Sequence, residues 1–155
     1  MTGEIQVSKA RLKSAFEDRA LYLAFLLRSF QTNFGREAAE QAAREAIFSY
    51  GQAKGQQDGR QFTAENWVAQ TPTGEASVFD TKTFSGRESC EEVMATCPLV
   101  DAWRNLGCSP EEIDTLCDIA MEVDRGRAAY HGLICELPER IGQGDKKCRL
   151  VLRNR

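Results

Sequence analysis

The chain has 155 residues, of which 42% are hydrophobic and 28% are charged, and its net charge is -3. This mixture is typical of a folded globular protein and excludes a disordered chain, while the acidic balance and the scattered Lys and Arg residues favour no nucleic-acid partner. The N-terminal residues lack a signal-peptide layout, and the longest apolar run, residues 20–27, is too short to span a bilayer. We therefore expect a cytoplasmic protein without a membrane partner.

The first predicted element is a long amphipathic helix from Leu12 to Phe34, ended by Gly35. Its apolar residues recur every three or four positions, as one buried helix face requires. Leu21, Tyr22, Phe25 and Leu26 add apolar surface around the rest of the helix. This segment is therefore either enclosed within the fold or covered by a second subunit, which makes a homodimer one of the predicted assemblies.

A second helix is predicted from the Ala-rich and Glu-rich residues 36–51, ending near Gly51. Residues 51–61, with the sequence GQAKGQQDGRQ, are polar and rich in glycine. This composition predicts a mobile loop.

Two β-hairpins are predicted in the rest of the chain, one within residues 78–96 and one within residues 132–153. In the second, Leu133, Cys135 and Leu137 share one face, as do Cys148, Leu150 and Leu152. Two helices separate the hairpins. This order of elements predicts an α+β fold with N-terminal helices and a small antiparallel sheet. We expect a single domain, residues 1–155, made of a helical region, residues 1–53, and an α+β region, residues 76–155.

The six cysteines are the main candidates for chemistry. In a reducing cytosol they would be mostly free thiols, so packing, metal binding or catalysis is favoured over a disulfide framework. Cys108 and Cys135 are assigned to packing and Cys90 is left open. The remaining three candidates are Cys97, Cys117 and Cys148.

Cys97 directly precedes Pro98, which is typical of the first residue of a helix, and Gly107 is placed to end that helix. Cys97 is thus predicted at the N-cap, where unpaired backbone N–H groups and the helix dipole favour a thiolate. The same N–H groups would alternatively bind a substrate carboxylate. The sequence does not choose between these two roles.

The run SPEE, residues 109–112, is a capping-box signature for the next helix. On that helix, Cys117 and Asp124 lie seven residues apart and so share a face. A buried Asp124 requires a hydrogen bond, a cation or a cavity, because burial of an unpartnered carboxylate is costly. Alternatively, Asp124 lies at the frayed end of the helix in contact with water.

A metal site is the alternative to a reactive thiol. Short paired spacing such as C-x-x-C is absent, which disfavours a zinc knuckle. Ligands distant in sequence still form tetrahedral sites, so Cys97, Cys117, Cys148 and the only histidine, His131, remain an alternative set for zinc or another transition metal. No cofactor is otherwise expected.

The runs CPLVDAWRNLG, SPEEIDTLCDIAMEVD and GQGDKKCRLVLR, within residues 88–153, resemble the L-2-amino-thiazoline-4-carboxylic acid hydrolase family. The resemblance implies the opening of a cyclic amidine by water at the carbon between sulfur and nitrogen. It also implies that Cys97, Cys117, Asp124 and Cys148 are the catalytic residues and a small molecule is the substrate. In this interpretation either the Cys97 thiolate or an activated water attacks, and Asp124 holds the protonated ring nitrogen.

Two other functions remain as alternatives. One is a non-catalytic module of the same fold that binds a metal or small ligand through the cysteines. The other is a helical interaction protein that docks a partner on residues 20–27. His131 matches no motif of the resemblance, so no role as a base is predicted for it.

Overall fold

The computed structural model describes residues 7–155. Residues 1–6, the start of the predicted helical region 1–53 and of the N-terminal stretch that lacks a signal-peptide layout, lie outside the described residues. In chain order the elements are helices α1 (Lys9–Phe34), α2 (Arg36–Gln57) and α3 (Ala64–Gln70), strands β1 (Thr81–Ser85) and β2 (Cys90–Met94), helices α4 (Pro98–Asn105), α5 (Pro110–Ala120) and α6 (Glu122–Tyr130), and strands β3 (Ile134–Glu139) and β4 (Cys148–Arg153). A short 3₁₀ turn, Ile141–Gln143, joins β3 to β4. The predicted α+β fold is confirmed.

The four strands form one antiparallel sheet in the order β1-β2-β4-β3. The two predicted hairpins are therefore confirmed, and they join through the pairing of β2 with β4, in which Glu92 lies opposite Leu150 and Met94 opposite Cys148. Because side chains alternate along a strand, these four residues share one face of the sheet. Leu150 and Leu152 are buried on that face, which makes it the inner face.

Helix α1 begins and ends as the sequence predicts. The Ser8 side chain accepts the backbone N–H of Arg11, and Gly35 follows the helix with a φ of 88°. Ala20, Ala24 and Leu27 are buried. The indole N–H of Trp103, on α4, donates to the backbone carbonyl of Ala20 at 2.8 Å, which ties α1 to the short helix that follows Cys97.

The predicted mobile loop at residues 51–61 is wrong for residues 51–57, because α2 continues to Gln57, whereas residues 58–61 lie outside any helix or strand. An added Cβ at Gly51 would collide with the backbone carbonyl of Val123, and one at Gly126 would collide with that of Phe48. The glycines are thus used for the close packing of α2 on α6 rather than for a turn. Helix α3, in the segment that follows, was not predicted; Thr63 and Asn66 form its capping box.

The predicted helix from Ser109 through Asp124 is interrupted at Met121. Its start is confirmed, since Pro110 is its first residue and Ser109 accepts the N–H of Glu112. Helix α5 ends at Ala120, and α6 begins at Glu122. Asp124 therefore lies in the first turn of α6, neither on the same helix as Cys117 nor at a frayed C-terminus.

The outer face of α1 carries large apolar side chains that the rest of the chain leaves exposed. Tyr22 is 75% exposed and Phe25 is 59% exposed, and Leu26, Phe30 and Phe34 are also exposed. The enclosed alternative for this segment is thus wrong for Tyr22, Phe25 and Leu26, while the homodimer stays a prediction. Within residues 7–155, no helix is long and apolar enough to cross a membrane.

Candidate active site

Cys97 occupies the predicted N-cap of α4, with Pro98 as the first helical residue. Its sulfur makes no capping hydrogen bond of regular geometry. Burial raises the pKa of Cys97 to about 12, and the nearby Cys148 and Cys117 act in the same direction, whereas the N–H groups of Val100 and Leu99 act against it. The predicted preference for a thiolate is therefore wrong for this structure, because desolvation outweighs the helix N-terminus.

Cys117 lies on α5 and is covered by the 3₁₀ turn between β3 and β4. A Cβ added at Gly142 would lie 2.5 Å from the Cys117 sulfur, so only glycine fits at this contact. Burial raises the pKa of the Cys117 thiol, opposed by the adjacent Arg140 guanidinium and the Gly142 N–H. The position of Cys117 thus depends on the segment that leads into β4.

Cys148, the first residue of β4, contacts the same segment. Its sulfur accepts the backbone N–H of Ile141 at 3.2 Å. Burial raises the pKa of the Cys148 thiol, and the nearby Cys117 adds to the effect. The three cysteines predicted as site residues therefore converge, and we refer to Cys97, Cys117 and Cys148 as the thiol group.

Arg140 is the cation beside the thiol group, although only 8% of its surface is exposed. Its Nη2 donates to Asp114 at 3.0 Å and to Gln143 at 3.1 Å. Its Nη1 is buried and has no hydrogen-bond partner, the one side-chain nitrogen or oxygen in this condition within residues 7–155. Most buried polar atoms are paired, so this donor points to an anion that binds or forms at the site.

Asp124 belongs to a second polar group over the sheet. Burial raises its pKa to about 6, and the neighbouring Glu92 adds to the effect, while Arg127, Lys54 and Arg19 oppose it. Among the described residues, none donates a hydrogen bond to the Asp124 side chain or forms an ion pair with it. The predicted hydrogen bond and ion pair are thus absent within residues 7–155, and the residue is half-buried. Its position in a cavity stays a prediction.

Glu92 lies near Asp124, and we refer to these two residues together as the carboxyl group. Glu92 is buried on the inner face of the sheet and accepts the indole N–H of Trp67 at 2.9 Å and the hydroxyl of Thr71. Burial raises the pKa of Glu92 despite these two donors. Two neighbouring carboxyls with raised pKa values hold protons closer to neutral pH than ordinary carboxyls do.

The thiol group and the carboxyl group occupy adjacent positions on the sheet. Cys148 pairs with Met94 and Leu150 pairs with Glu92, so Cys148 and Glu92 are diagonal neighbours on one face. Such neighbours lie roughly 7–8 Å apart between Cα atoms. Cys148 of the thiol group and Glu92, the neighbour of Asp124, thus share this face, while the joint catalytic role of Cys97, Cys117, Asp124 and Cys148 stays a prediction.

His131 lies elsewhere, at the end of α6. Its Nε2 is 3.0 Å from the Asp58 carboxylate, which also pairs with Arg127 at 2.7 Å. The imidazole packs on the Phe62 ring with a centroid distance of 4.6 Å. It lines a surface groove of about 440 Å³ on this side of the molecule.

No group of three or more His, Cys, Asp or Glu side chains has a metal-binding arrangement in the segment 7–155 that the structure describes. The alternative set of Cys97, Cys117, Cys148 and His131 is therefore not assembled as a ligand shell, and zinc binding stays a prediction. All six cysteines are free thiols.

The other three cysteines lie outside the thiol group. Cys108 is buried near Arg28, with Nη2 at 3.4 Å from its sulfur, and Cys90 is buried in the core below α3. Cys135 packs at the edge of that core, where burial raises its pKa to about 12 and the nearby Asp124 adds to the effect. These locations agree with the packing role predicted for Cys108 and Cys135.

Sequence reasoning missed Arg140 and Glu92. Arg140 stands in a hairpin connection, where a charged residue is ordinarily exposed. Glu92 had a detectable signal, because it alternates with Cys90 and Met94 and so lies on the inward face of β2.

The family model described as L-2-amino-thiazoline-4-carboxylic acid hydrolase matches residues 14–152. The chain belongs to this family. The match also covers α1 and α2, well beyond the resemblance at residues 88–153, so the N-terminal helices belong to the family fold. No curated protein and no solved structure matches the chain.

Proposed function

We propose that this member of the family is a hydrolase that opens a small cyclic amidine of the 2-amino-thiazoline-4-carboxylate type. The observation that carries the proposal is the convergence of Cys97, Cys117 and Cys148, far apart in sequence, on the sheet face that also holds Glu92, the neighbour of an Asp124 carboxyl whose pKa is raised to about 6. The family match independently names this substrate class.

The reaction adds one water across the ring. The carbon between the ring sulfur and ring nitrogen is electrophilic, the ring C–N bond breaks, and the water oxygen becomes the carbonyl of a carbamoyl group that stays on sulfur. The ring nitrogen leaves as an amine and needs a proton. An acid with a pKa near the working pH is suited to supply it.

Asp124 is the residue that we assign to this proton transfer. Its pKa of about 6 allows it to donate to the leaving nitrogen and to be reprotonated at neutral pH. Cys97 and Cys148 line the thiol side of the site. The Cys97 pKa of about 12 argues against a thiolate there, so the proposal does not assign the attacking sulfur to Cys97.

The test is turnover of L-2-amino-thiazoline-4-carboxylate by the purified protein, followed by mass spectrometry. We expect a product heavier by one water that carries a new primary amine and no new thiol. Asp124→Asn should lower kcat by at least about 100-fold, the usual contribution of a general acid. Cys108→Ala, which alters a buried thiol outside the site, is the matched control and should retain activity.

Two outcomes would oppose this function. Binding of the compound without any turnover would favour the ligand-binding module instead. A product with a free thiol would show that the C–S bond breaks, contrary to the C–N cleavage proposed.

We also propose a cytosolic homodimer that pairs through the exposed outer face of α1. Six free thiols fit a reducing compartment, and Tyr22 and Phe25 offer apolar area to a second copy. Light scattering of the protein and of Phe25→Glu tests the assembly; a monomeric wild-type protein would rule it out.

A further inference from the structure

The thiol group contains three sulfurs, and their surroundings differ in the charge of the nearest donor. Cys148 accepts only a neutral backbone N–H, from Ile141. Cys97 faces the N-terminus of α4 without a regular hydrogen bond and without a cation. The charged side chain of Arg140 acts on both Cys117 and Cys148, and at Cys117 its effect is second only to burial.

Arg140 is held in place through its other donors. Its backbone N–H donates to Asp145 at 2.9 Å, and Nη2 donates to Asp114 and Gln143. Its distance to Asp118 is 3.9 Å, too long for a hydrogen bond. Asp114 and Asp118 flank Cys117 along α5, three positions before it and one after it, so the guanidinium lies across the turn that carries this sulfur.

The orientation of Arg140 leaves Nη1 buried without a partner. A buried unsatisfied donor costs about 1–3 kcal/mol, and more when it is charged. An anion at the Cys117 sulfur would satisfy it, because N⁺–H···S⁻ is a charge-assisted hydrogen bond.

We propose that Cys117 is the thiol that ionises and attacks the substrate, and that Arg140 is its positioning residue, with Nη1 donating to the Cys117 thiolate. The assignment of the attack rests on the hydrolase function proposed above, whereas the ionisation of Cys117 beside Arg140 does not. Cys97 is half-buried and has no cation beside it.

The proposed reaction begins at the Cys117 thiol. The Cys117 S–H bond breaks, the proton passes to water, and the sulfur electron pair bonds to the amidine carbon while the C=N electron pair moves to nitrogen. The ring nitrogen then leaves with its electron pair and a proton, which restores a double bond to the exocyclic nitrogen. Water adds to the same carbon, its protons pass to solvent as the C=O bond forms, and the bond to Cys117 breaks, which releases the S-carbamoyl product and regenerates the thiolate.

The test uses thiolate absorbance near 240 nm, which requires no access of a reagent to the buried sulfurs. Titrations of the wild-type protein and of Cys117→Ala, Cys148→Ala and Cys97→Ala give the midpoint of each thiol by difference. We expect the Cys117 midpoint to lie at least one pH unit below the other two. Arg140→Gln should move it upward by one unit or more, and Arg140→Lys should restore a fraction of that shift.

Arg125→Gln is the matched control, because Arg125 is a partly buried arginine that pairs with Asp118 at 2.8 Å without touching Cys117. It should leave the Cys117 midpoint unchanged. If Arg140→Gln fails to fold, Arg140→Lys alone decides the question, since loss of the planar fork should still raise the midpoint. Two results would overturn the proposal. One is a titration midpoint of Cys117 equal to that of Cys148, and the other is a Cys117 midpoint that Arg140→Gln and Arg125→Gln move equally.

The inference and the proposed function fail separately. Absence of turnover together with the expected titration would remove the hydrolase function and leave the Cys117–Arg140 pair. Turnover whose kcat/KM–pH profile and thiolate midpoint are both unmoved by Arg140→Gln would keep the hydrolase and remove Arg140 from its mechanism.

Discussion

The two polar groups on the inner face of the sheet respond to burial in different ways. For Cys97 and Cys148, burial raises the pKa of a thiol that is already neutral in water at pH 7, so the proton stays on sulfur. In the carboxyl group, burial raises the pKa of Asp124 to about 6 and also that of Glu92, groups that are otherwise charged. The same desolvation therefore keeps these two thiols neutral and brings the pKa of Asp124 closer to physiological pH.

The difference has a structural counterpart in the donors around each group. Glu92 accepts hydrogen bonds from the side chains of Trp67 and Thr71, whereas the thiols face backbone N–H groups and the Arg140 guanidinium, whose Nη1 has no partner. Thiols are weak acceptors and are buried at little cost. We infer that in the free protein the carboxyls of Asp124 and Glu92 are the groups that exchange protons, and that a sulfur reacts only after its thiol has ionised.

The largest expected effect is on the reactivity of Cys97, which tests whether burial keeps its thiol protonated. Because only the thiolate reacts, a pKa of about 12 should make alkylation of Cys97 by iodoacetamide at about pH 7.5 slower in the folded protein than in the unfolded chain by on the order of a thousandfold. Peptide mass spectrometry after timed labelling, with and without urea, measures both rates. Rapid labelling of native Cys97 would show that the helix N-terminus dominates after all.

The next effect concerns how α6 holds Asp124 over the sheet. Gly126→Ala places a Cβ against the Phe48 carbonyl, and backbone atoms on both sides cannot move aside. We expect a loss of about 3 kcal/mol in the free energy of unfolding, by overpacking of a close contact. Urea denaturation measures it.

The control for Gly126→Ala follows from helix propensity. Alanine is favoured over glycine in an open helix position by about 1 kcal/mol, so a stabilised Gly126→Ala protein would show that α2 and α6 do not pack closely. Ala129→Gly, at an exposed position of α6, should cost only that propensity difference.

The comparison also separates what the sequence can and cannot predict. Periodicity, the Ser109 cap and the strand alternation predicted α1, the start of α5 and both hairpins, because these signals are local. The inward faces of Cys135 and Cys148 followed from the same alternation. Convergence of the three thiols was expected from the family resemblance rather than from spacing.

Tertiary contacts account for what was missed. Gly51 looked like the end of a helix, yet it lies within α2 because α6 approaches it closely. Cys97 looked reactive because its helix end is visible in sequence, whereas the desolvation that outweighs it is not. The cation at Cys117 comes from Arg140, 23 residues later in the chain, and no local pattern connects them.

A smaller effect tests the carboxyl group through pH. The folded pKa of Asp124, about 6, lies above the unfolded value of about 3.9, so the folded state binds more protons between these values and stability falls as pH rises through this window. Asp124→Asn removes this loss. We expect the variant to be more stable than wild type by about 1–2 kcal/mol at pH 8, with little difference at pH 4, in urea denaturation.

Two features make the pH experiment specific. Glu92 titrates nearby, so the wild-type curve reports both carboxyls and only the difference from Asp124→Asn isolates one of them. Glu45→Gln, at an exposed position of α2, provides the control and should show no such window. A wild-type protein whose stability rises between pH 4 and 7 relative to Asp124→Asn would mean that cations, not burial, determine the Asp124 pKa.

The smallest effect concerns the donors that keep Glu92 in its place. Thr71→Val replaces the hydroxyl that donates to Glu92 by a methyl group of similar size, while the Trp67 indole continues to donate. Loss of one hydrogen bond to a buried carboxyl should cost about 1 kcal/mol at neutral pH and less in acid, where Glu92 is protonated and needs fewer donors. Thr73→Val removes a hydroxyl that caps nothing and should leave stability unchanged. Equal losses of stability in Thr71→Val and Thr73→Val would indicate that water reaches the Glu92 carboxyl. Burial would then raise its pKa less than the structure indicates.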